Sequence, residues 1–151
     1  MIVDRKFNRV ELENFLKLNS DEFIPSLKEQ LDSFYYGNMT IEQFALKLSQ
    51  KATVSVKYEG NHIMGMVIGY THNTPDEKSY ISYVIVGRQY RGKGIAVELI
   101  NDYFAYAKKQ QLKSVWLKTT VENVIARKLY EKVGMKLMET SDGLVIYEKQ
   151  L

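Results

Sequence analysis

Along the first third of the chain, apolar positions recur three and four residues apart. Leu12, Phe15 and Leu16 form one short face, and Ile24, Leu27, Leu31, Phe34 and Tyr35 form another. This spacing predicts helices, with Pro25 tolerated in a first turn and Gly37 able to end the helix over 24–35. Thr40, with Gln43 three residues on, makes a capping box for a helix carrying Ile41, Phe44, Ala45 and Leu48 on one side. The period then falls to two. Val54, Val56 and Tyr58 alternate with Thr53, Ser55 and Lys57, as in a half-buried strand. Glu59-Gly60-Asn61 is a turn signal, so residues 63–70 fold back as the second arm of a hairpin. Their near-continuous apolar character predicts burial on both faces.

After a polar loop over 71–78 that contains Pro75, residues 80–86 read as a third strand. Ile95, Ala96, Leu99, Ile100, Tyr103, Phe104 and Ala107 make a broad stripe, which predicts a helix over 92–110. Lys108 and Lys109 suit its C-terminal dipole. Residues 115–119 form a strand. Residues 123–132 form a helix with Ile125, Leu129 and Val133 on one side, ended by Gly134. Strands over 136–139 and 145–148 flank a Ser141-Asp142-Gly143 turn. Helices followed by βββ, α, β, α, ββ predict an α/β fold, a mixed sheet with helices on its faces.

The 151 residues suit one domain, with no repeat, low-complexity tract or linker dividing them. Lys and Arg number 21 against 18 Asp and Glu, a net charge of +3. So mild an excess argues against a general nucleic-acid-coating protein but allows one local anion site. Cysteine is absent, which removes disulfides, zinc–thiolate sites and a Cys nucleophile and fits a reducing cytoplasm. Asp4, Arg5 and Lys6 leave no signal-peptide apolar core at the start. The longest apolar run, 63–70, is far short of the roughly 20 residues that span a bilayer. We expect a cytoplasmic protein with no membrane or nucleic-acid partner. His62 and His72 have no carboxylate pattern around them, so no metal site is expected.

The segment richest in chemistry is Val84-Ile85-Val86-Gly87-Arg88-Gln89-Tyr90-Arg91-Gly92-Lys93-Gly94-Ile95-Ala96. An apolar strand runs into a basic, glycine-containing loop that opens directly into a helix. Free N–H groups at the helix start, glycines that admit an anion to the backbone, and three cations describe a phosphate cradle. From charge and glycine alone, a β–α turn with solvated basic residues fits equally well. Two phosphate motifs fail at residues they need. Gly87-x4-Gly92-Lys93 matches most of a P-loop, but Gly94 stands where the magnesium-binding hydroxyl belongs. A dinucleotide fingerprint starting at Gly92-x-Gly94 reaches Val97 in place of its third glycine, and no acidic residue ends the strand at Thr119.

Gln89-x-x-Gly92-x-Gly94 resembles the Q/R-x-x-G-x-G/A signature of the GNAT superfamily of N-acetyltransferases. Downstream, Asn123-x-x-Ala126-x-x-Leu129-Tyr130-x-x-x-Gly134-Met135 resembles the same family's second stretch. The similarity covers about residues 52–149. It implies a single GNAT domain over 1–151: a helical acceptor-side region over about 1–51 and an acyl-CoA-binding core over about 52–151. The implied sheet is mostly antiparallel, with a splayed central parallel pair. The implied cosubstrate is acetyl-CoA. Backbone amides of Arg91, Gly92, Lys93, Gly94, Ile95 and Ala96, with Gln89 of the signature, would hold its pyrophosphate. Val84, Ile85 and Val86 would pair with the pantetheine arm, a backbone N–H near Ile85 would face the oxyanion, and Asn123 would bond near the pantetheine.

The resemblance also implies that an acceptor amine attacks the thioester directly and that Tyr130 is the acid for the departing thiolate. Read without it, Tyr130 is a core aromatic and Asn123 a helix N-cap. Arg127 and Lys128 read as solvated helix charges. No carboxylate lies in 80–86 to act as base; Ser82, Tyr83 and His72 are what lies close. Tyr35, Tyr36 and Gly37 are the expected contributors to the acceptor pocket. The expected acceptor is a small-molecule amine, with amino-sugars among the candidates. The reading from another class is a non-catalytic acyl-CoA-binding module or sensor. A homodimer stays open.

Overall fold

The computed structural model describes residues 2–3, 9–18 and 40–151. Its elements are β1 (Ile2–Val3), α1 (Arg9–Leu18), α2 (Ile41–Lys51), β2 (Thr53–Glu59), β3 (His62–Tyr70) and β4 (Lys78–Val86), then α3 (Ile95–Lys109), β5 (Ser114–Thr120), α4 (Val124–Lys132), β6 (Lys136–Ser141) and β7 (Leu144–Gln150). A 3-10 turn, Arg88–Tyr90, stands between β4 and α3. The helix expected over 24–35 lies outside the described residues, as do Tyr35, Tyr36 and Gly37.

The seven strands make one sheet in the order β1-β2-β3-β4-β5-β7-β6. All neighbours are antiparallel except β4 and β5. This is the mixed, mostly antiparallel α/β sheet the sequence predicts. The edge strand β1 was not predicted, because two residues carry no period.

Helices cover both faces of the sheet. On one face Leu12, Phe15 and Leu16 of α1 and Phe44 and Leu48 of α2 pack on Val54, Val56 and Ile85. The capping box starts α2 as read: Thr40 Oγ1 accepts from the Gln43 N–H at 3.1 Å, and Gln43 Oε1 accepts from the Thr40 N–H at 3.0 Å. On the other face Leu99, Ile100 and Tyr103 of α3 pack on Val67, Val115 and Leu117, joined by Tyr130 and Val133 from α4 and its end. This second layer corrects the half-buried reading of β2. Thr53 and Ser55 are buried too, since α3 lies over the face they occupy. Thr53 meets its polar need at Thr71, hydroxyl to hydroxyl at 2.6 Å.

Several boundaries move. β4 starts at Lys78, two residues early. α3 starts at Ile95 and not Gly92, because Gly92 and Gly94 take positive φ (74° and 76°), outside helical geometry. β6 and β7 extend until Asp142 and Gly143, both at positive φ, turn the hairpin. One face assignment also fails: Ile125 is 85% exposed, and Tyr130 is the buried residue of α4.

The parallel pair β4–β5 holds only from Lys78↔Ser114 to Tyr80↔Trp116. Two residues later Ser82 is an extra residue in β4, since Gly69 faces Ile81 while Ile68 faces Tyr83. Such a bulge bends and twists its strand. Residues 81–86 therefore stay on β3 while β5 leaves with β7, and the two strands open as a V.

Candidate active site

A cavity of about 750 Å³ fills the V, a volume ordinary for a small-molecule site. Its walls are residues 81–86 of β4, the ends of β5 and α4, and the loop before α3. The backbone of β4 is presented to it by strand alternation. The Gly87 N–H donates to the Met64 carbonyl at 2.8 Å. Continuing this antiparallel ladder, Ile85 and Tyr83 also spend their backbone groups on β3. Val84 and Val86, at the intervening positions, turn their N–H and C=O groups toward the gap. The free donors near Ile85 are thus those of Val84 and Val86. The Val86 carbonyl is already used, accepting from Arg91 Nε at 3.1 Å.

At the mouth of the V the loop is open around its glycines. A Cβ at Gly92 or Gly94 would meet no heavy atom within 4 Å. No side chain caps α3, and the first ladder bond runs from the Glu98 N–H to the Gly94 carbonyl. The N–H groups of Ile95, Ala96 and Val97, residues that line the cavity, therefore have no intrahelical partner. With the helix dipole they make an anion-binding end.

Val84, Ile85, Val86, Arg91, Gly92, Gly94, Ile95, Ala96, Asn123 and Tyr130 all lie on the cavity wall. Gln89 and Lys93 do not. The 3-10 turn points Gln89 outward while burying Tyr90, and Lys93 Nζ stands 5.9 Å from the centroid of the Tyr90 ring. Asn123 caps α4 by accepting from the Ala126 N–H at 3.2 Å. Arg127 is not a solvated charge: Nε donates to Tyr147 Oη at 3.2 Å and a terminal nitrogen donates to the Val121 carbonyl at 3.1 Å. His72 is exposed on the loop between β3 and β4, at the far end of β4 from the cavity.

Tyr130 is buried, with its ring centroid 5.9 Å from that of Tyr147. Burial first, and the neighbouring Tyr80 second, push its hydroxyl up to about 12. Burial pushes the Tyr83 hydroxyl up to about 12 as well. Both are neutral hydrogen-bond donors near pH 7. Among the described residues the cavity wall carries two charged side chains, Arg91 and Lys118, and no carboxylate. The place of Lys118 on this wall was missed in the sequence. Its only signal is that it shares the parity of Trp116 on β5, opposite to the buried Val115 and Leu117.

The sequence model of the acetyltransferase (GNAT) family matches residues 12–135. N-acetylaspartate synthetase from Rattus norvegicus is 32% identical over 106 residues, covering 70% of this chain and 35% of that protein. The Homo sapiens protein of the same name is 32% identical over 106 residues, 70% of this chain and 34% of that one. The chain spans about a third of the length of these curated relatives. Among solved structures, the PaiA N-acetyltransferase from Thermoplasma acidophilum in complex with coenzyme A superposes with a TM-score of 0.76 at 15% identity, over 100% of both chains. A GNAT family acetyltransferase from Elizabethkingia anophelis with acetyl-CoA bound gives 0.61 at 16% identity, over 72% of this chain and 82% of that one. These likenesses show a shared fold.

Proposed function

The chain belongs to the acetyltransferase (GNAT) family, and on that premise we propose that it transfers an acetyl group from acetyl-CoA to the amine of a small molecule. The observation that carries the reading is the V. The N–H groups of Val84 and Val86, turned away from β3, lie along one wall that runs toward a helix start built to take an anion. An extended pantetheine adds to β4 there as a strand would, and its pyrophosphate rests on the N–H groups of Ile95 to Val97. Arg91 and Asn123 stand on the same wall. In this reading residues 52–151 bind the donor, and residues 1–51 frame the acceptor.

Chemistry takes place toward the closed end of the V. The neutral amine attacks the thioester carbon, a C–N bond forms, and the carbonyl oxygen becomes an oxyanion. The Val84 N–H is the donor turned toward it. The C–S bond then breaks. Tyr130 donates a hydrogen bond to the departing sulfur. A phenol at about 12 is a weaker acid than a thiol near 8.5, so this bond stabilises the thiolate without surrendering the proton. The proton lost by the amine reaches the sulfur through water. Tyr83 stays protonated and serves as donor, not base.

The test is free-thiol release from acetyl-CoA with a broad panel of amines. Turnover with any of them supports the enzyme, whereas binding of acetyl-CoA without turnover supports a sensor. Gly94→Val should weaken CoA binding at least about tenfold by calorimetry, since a branched side chain at positive φ distorts the helix start as well as filling its approach. Unchanged affinity would remove the anion-site assignment.

A further inference from the structure

We propose that Lys57 is a positioning residue for the phosphate end of the donor: by gripping Glu98 it fixes the first turn of α3, whose leading N–H groups take the anion. The proposal deepens the acyl-CoA reading above and rests on it. Lys57 Nζ meets Glu98 Oε2 at 2.7 Å, joining β2 to the first turn of α3. Thr53, Ser55 and Lys57 alternate onto the side of β2 that α3 covers. Gly65 of β3 lies between Lys57 and Val86, opposite each of them on its two neighbouring strands. A Cβ at Gly65 would come within 3.2 Å of Leu99 Cδ1 and 2.9 Å of the Ile85 carbonyl, so the missing side chain lets α3 settle closely on the sheet. Along this row Glu98 is held at Lys57 and Leu99 packs at Gly65.

The start of α3 needs such a hold. Its N-cap is Gly94, at positive φ and with no side-chain cap bond. The uncapped turn leaves its N–H groups to a ligand, and for the same reason it lacks the stabilisation that a capping side chain gives. Farther along, the Tyr103 hydroxyl bonds Ser79 at 2.7 Å and ties the helix to β4. At the first turn the tie to the sheet is Lys57–Glu98. An acid at this place is otherwise at odds with an anion site. It suits the positive end of the helix dipole, but a free carboxylate there would repel a pyrophosphate brought to the same N–H groups. Glu98 lies off the cavity wall that Ile95, Ala96 and Val97 line, with its carboxylate drawn to β2. Charge and tether make opposite claims about Glu98. If charge alone mattered, losing Glu98 would help an anion bind and losing Lys57 would hinder it. If the tether matters, losing either partner hinders binding, because the turn must then be ordered when the ligand arrives.

The experiment measures, by calorimetry on the full chain, binding of CoA and of pantetheine, which lacks the nucleotide and every phosphate. The parent is compared with Lys57→Met, Glu98→Gln and Lys57→Arg. The side chains of the pair are 34% and 46% exposed, which limits the effect to about fivefold in affinity. Lys57→Met and Glu98→Gln should each weaken CoA binding by about threefold to fivefold. Both should leave pantetheine binding as it is in the parent. Lys57→Arg, which can keep the pair, should bind CoA as the parent does. Tighter CoA binding by Glu98→Gln would show charge acting without the tether and overturn the proposal. CoA affinity unchanged in either of the two pair-breaking variants overturns it as well, as does an equal loss for CoA and pantetheine, which a general loosening of the fold would give. A parent chain that binds CoA no more tightly than pantetheine would overturn the anion-site reading, and this proposal with it.

Discussion

The two ends of β4 are one strand under two regimes. From Lys78 to Tyr80 it is paired to β5, and at Tyr80 to β3 as well. The Ser79 hydroxyl there bonds the Tyr70 carbonyl at 2.9 Å and the Tyr103 hydroxyl at 2.7 Å, and the Lys113 N–H donates to the Glu77 carbonyl at 2.8 Å. From Ile81 to Val86 one side is open and the backbone faces a cavity. The closed end has its polar groups consumed by the protein. The open end leaves some for a ligand, and it can do so without fraying only because the closed end fixes where the V begins.

If that division is right, substitutions at the closed end cost stability and those at the open end cost activity. The largest effect should come from Gly69→Ala. A Cβ there would collide with the Tyr103 hydroxyl and come within 2.6 Å of the Tyr80 carbonyl. Overpacking of this kind is typically worth about 1–3 kcal/mol, and we expect the upper end because one of the neighbours is backbone. A melting temperature within a degree or two of the parent would break the comparison.

Tyr130→Phe sharpens it from the other side. Removing the hydroxyl and keeping the ring should lower kcat at least about tenfold, equivalent to about 1.4 kcal/mol of barrier. The melting temperature and acetyl-CoA affinity should hardly move. Its partner Tyr147 makes the control. That hydroxyl donates to Glu131 Oε1 at 3.0 Å and accepts from Arg127 at 3.2 Å, so it is consumed by the fold. Tyr147→Phe should cost about 1 kcal/mol of stability and leave kcat unchanged. If the two variants behave alike in both assays, the hydroxyls do not divide as the geometry indicates. The smallest effect should be that of Lys78→Met. Its pair with Glu148 is 40% exposed on the lysine side and is worth at most about 1 kcal/mol, so denaturation midpoints should barely separate.

The open end was the more legible in the sequence. Its glycines, its three cations and the stripe of α3 each leave a local mark, and the strand–loop–helix they predict is the one found. Asn123 caps its helix, the role its residue type alone indicates, and Tyr130 of the second signature lies on the cavity wall. What could not be read depends on neighbours distant along the chain. Nothing in Tyr80-Ile81-Ser82-Tyr83 announces a bulge, because the extra residue is extra only relative to β3. Thr53 and Ser55 look like a solvated face until α3 is placed over them. Ile125 and Leu129 share a helix side, yet the cavity opens beneath the first, so an apolar residue is left exposed at its rim.

The bulge at Ser82 also sets the phase of the strand. In an unbroken strand Tyr80 and Tyr83, three apart, would point to opposite sides of the sheet. With one residue inserted they point to the same side: Tyr80 lies against Trp116, and Tyr83 packs edge-on against Phe44 of α2 at 5.5 Å. Ile81 and Ile85, four apart, are sent to different hydrophobic clusters for the same reason. The aromatic floor at the closed end of the V is therefore a matter of register before it is a matter of residue type. Point substitutions can change what stands on that floor, but turning it over requires Ser82 to pair as an ordinary strand residue, which would carry Tyr83 to the α3 side and Val84 to the α2 side. Deleting Ser82 would not do this: Tyr83 would then lie two positions from Tyr80 and on the same side, so the strand would lose its bend while the floor stayed where it is.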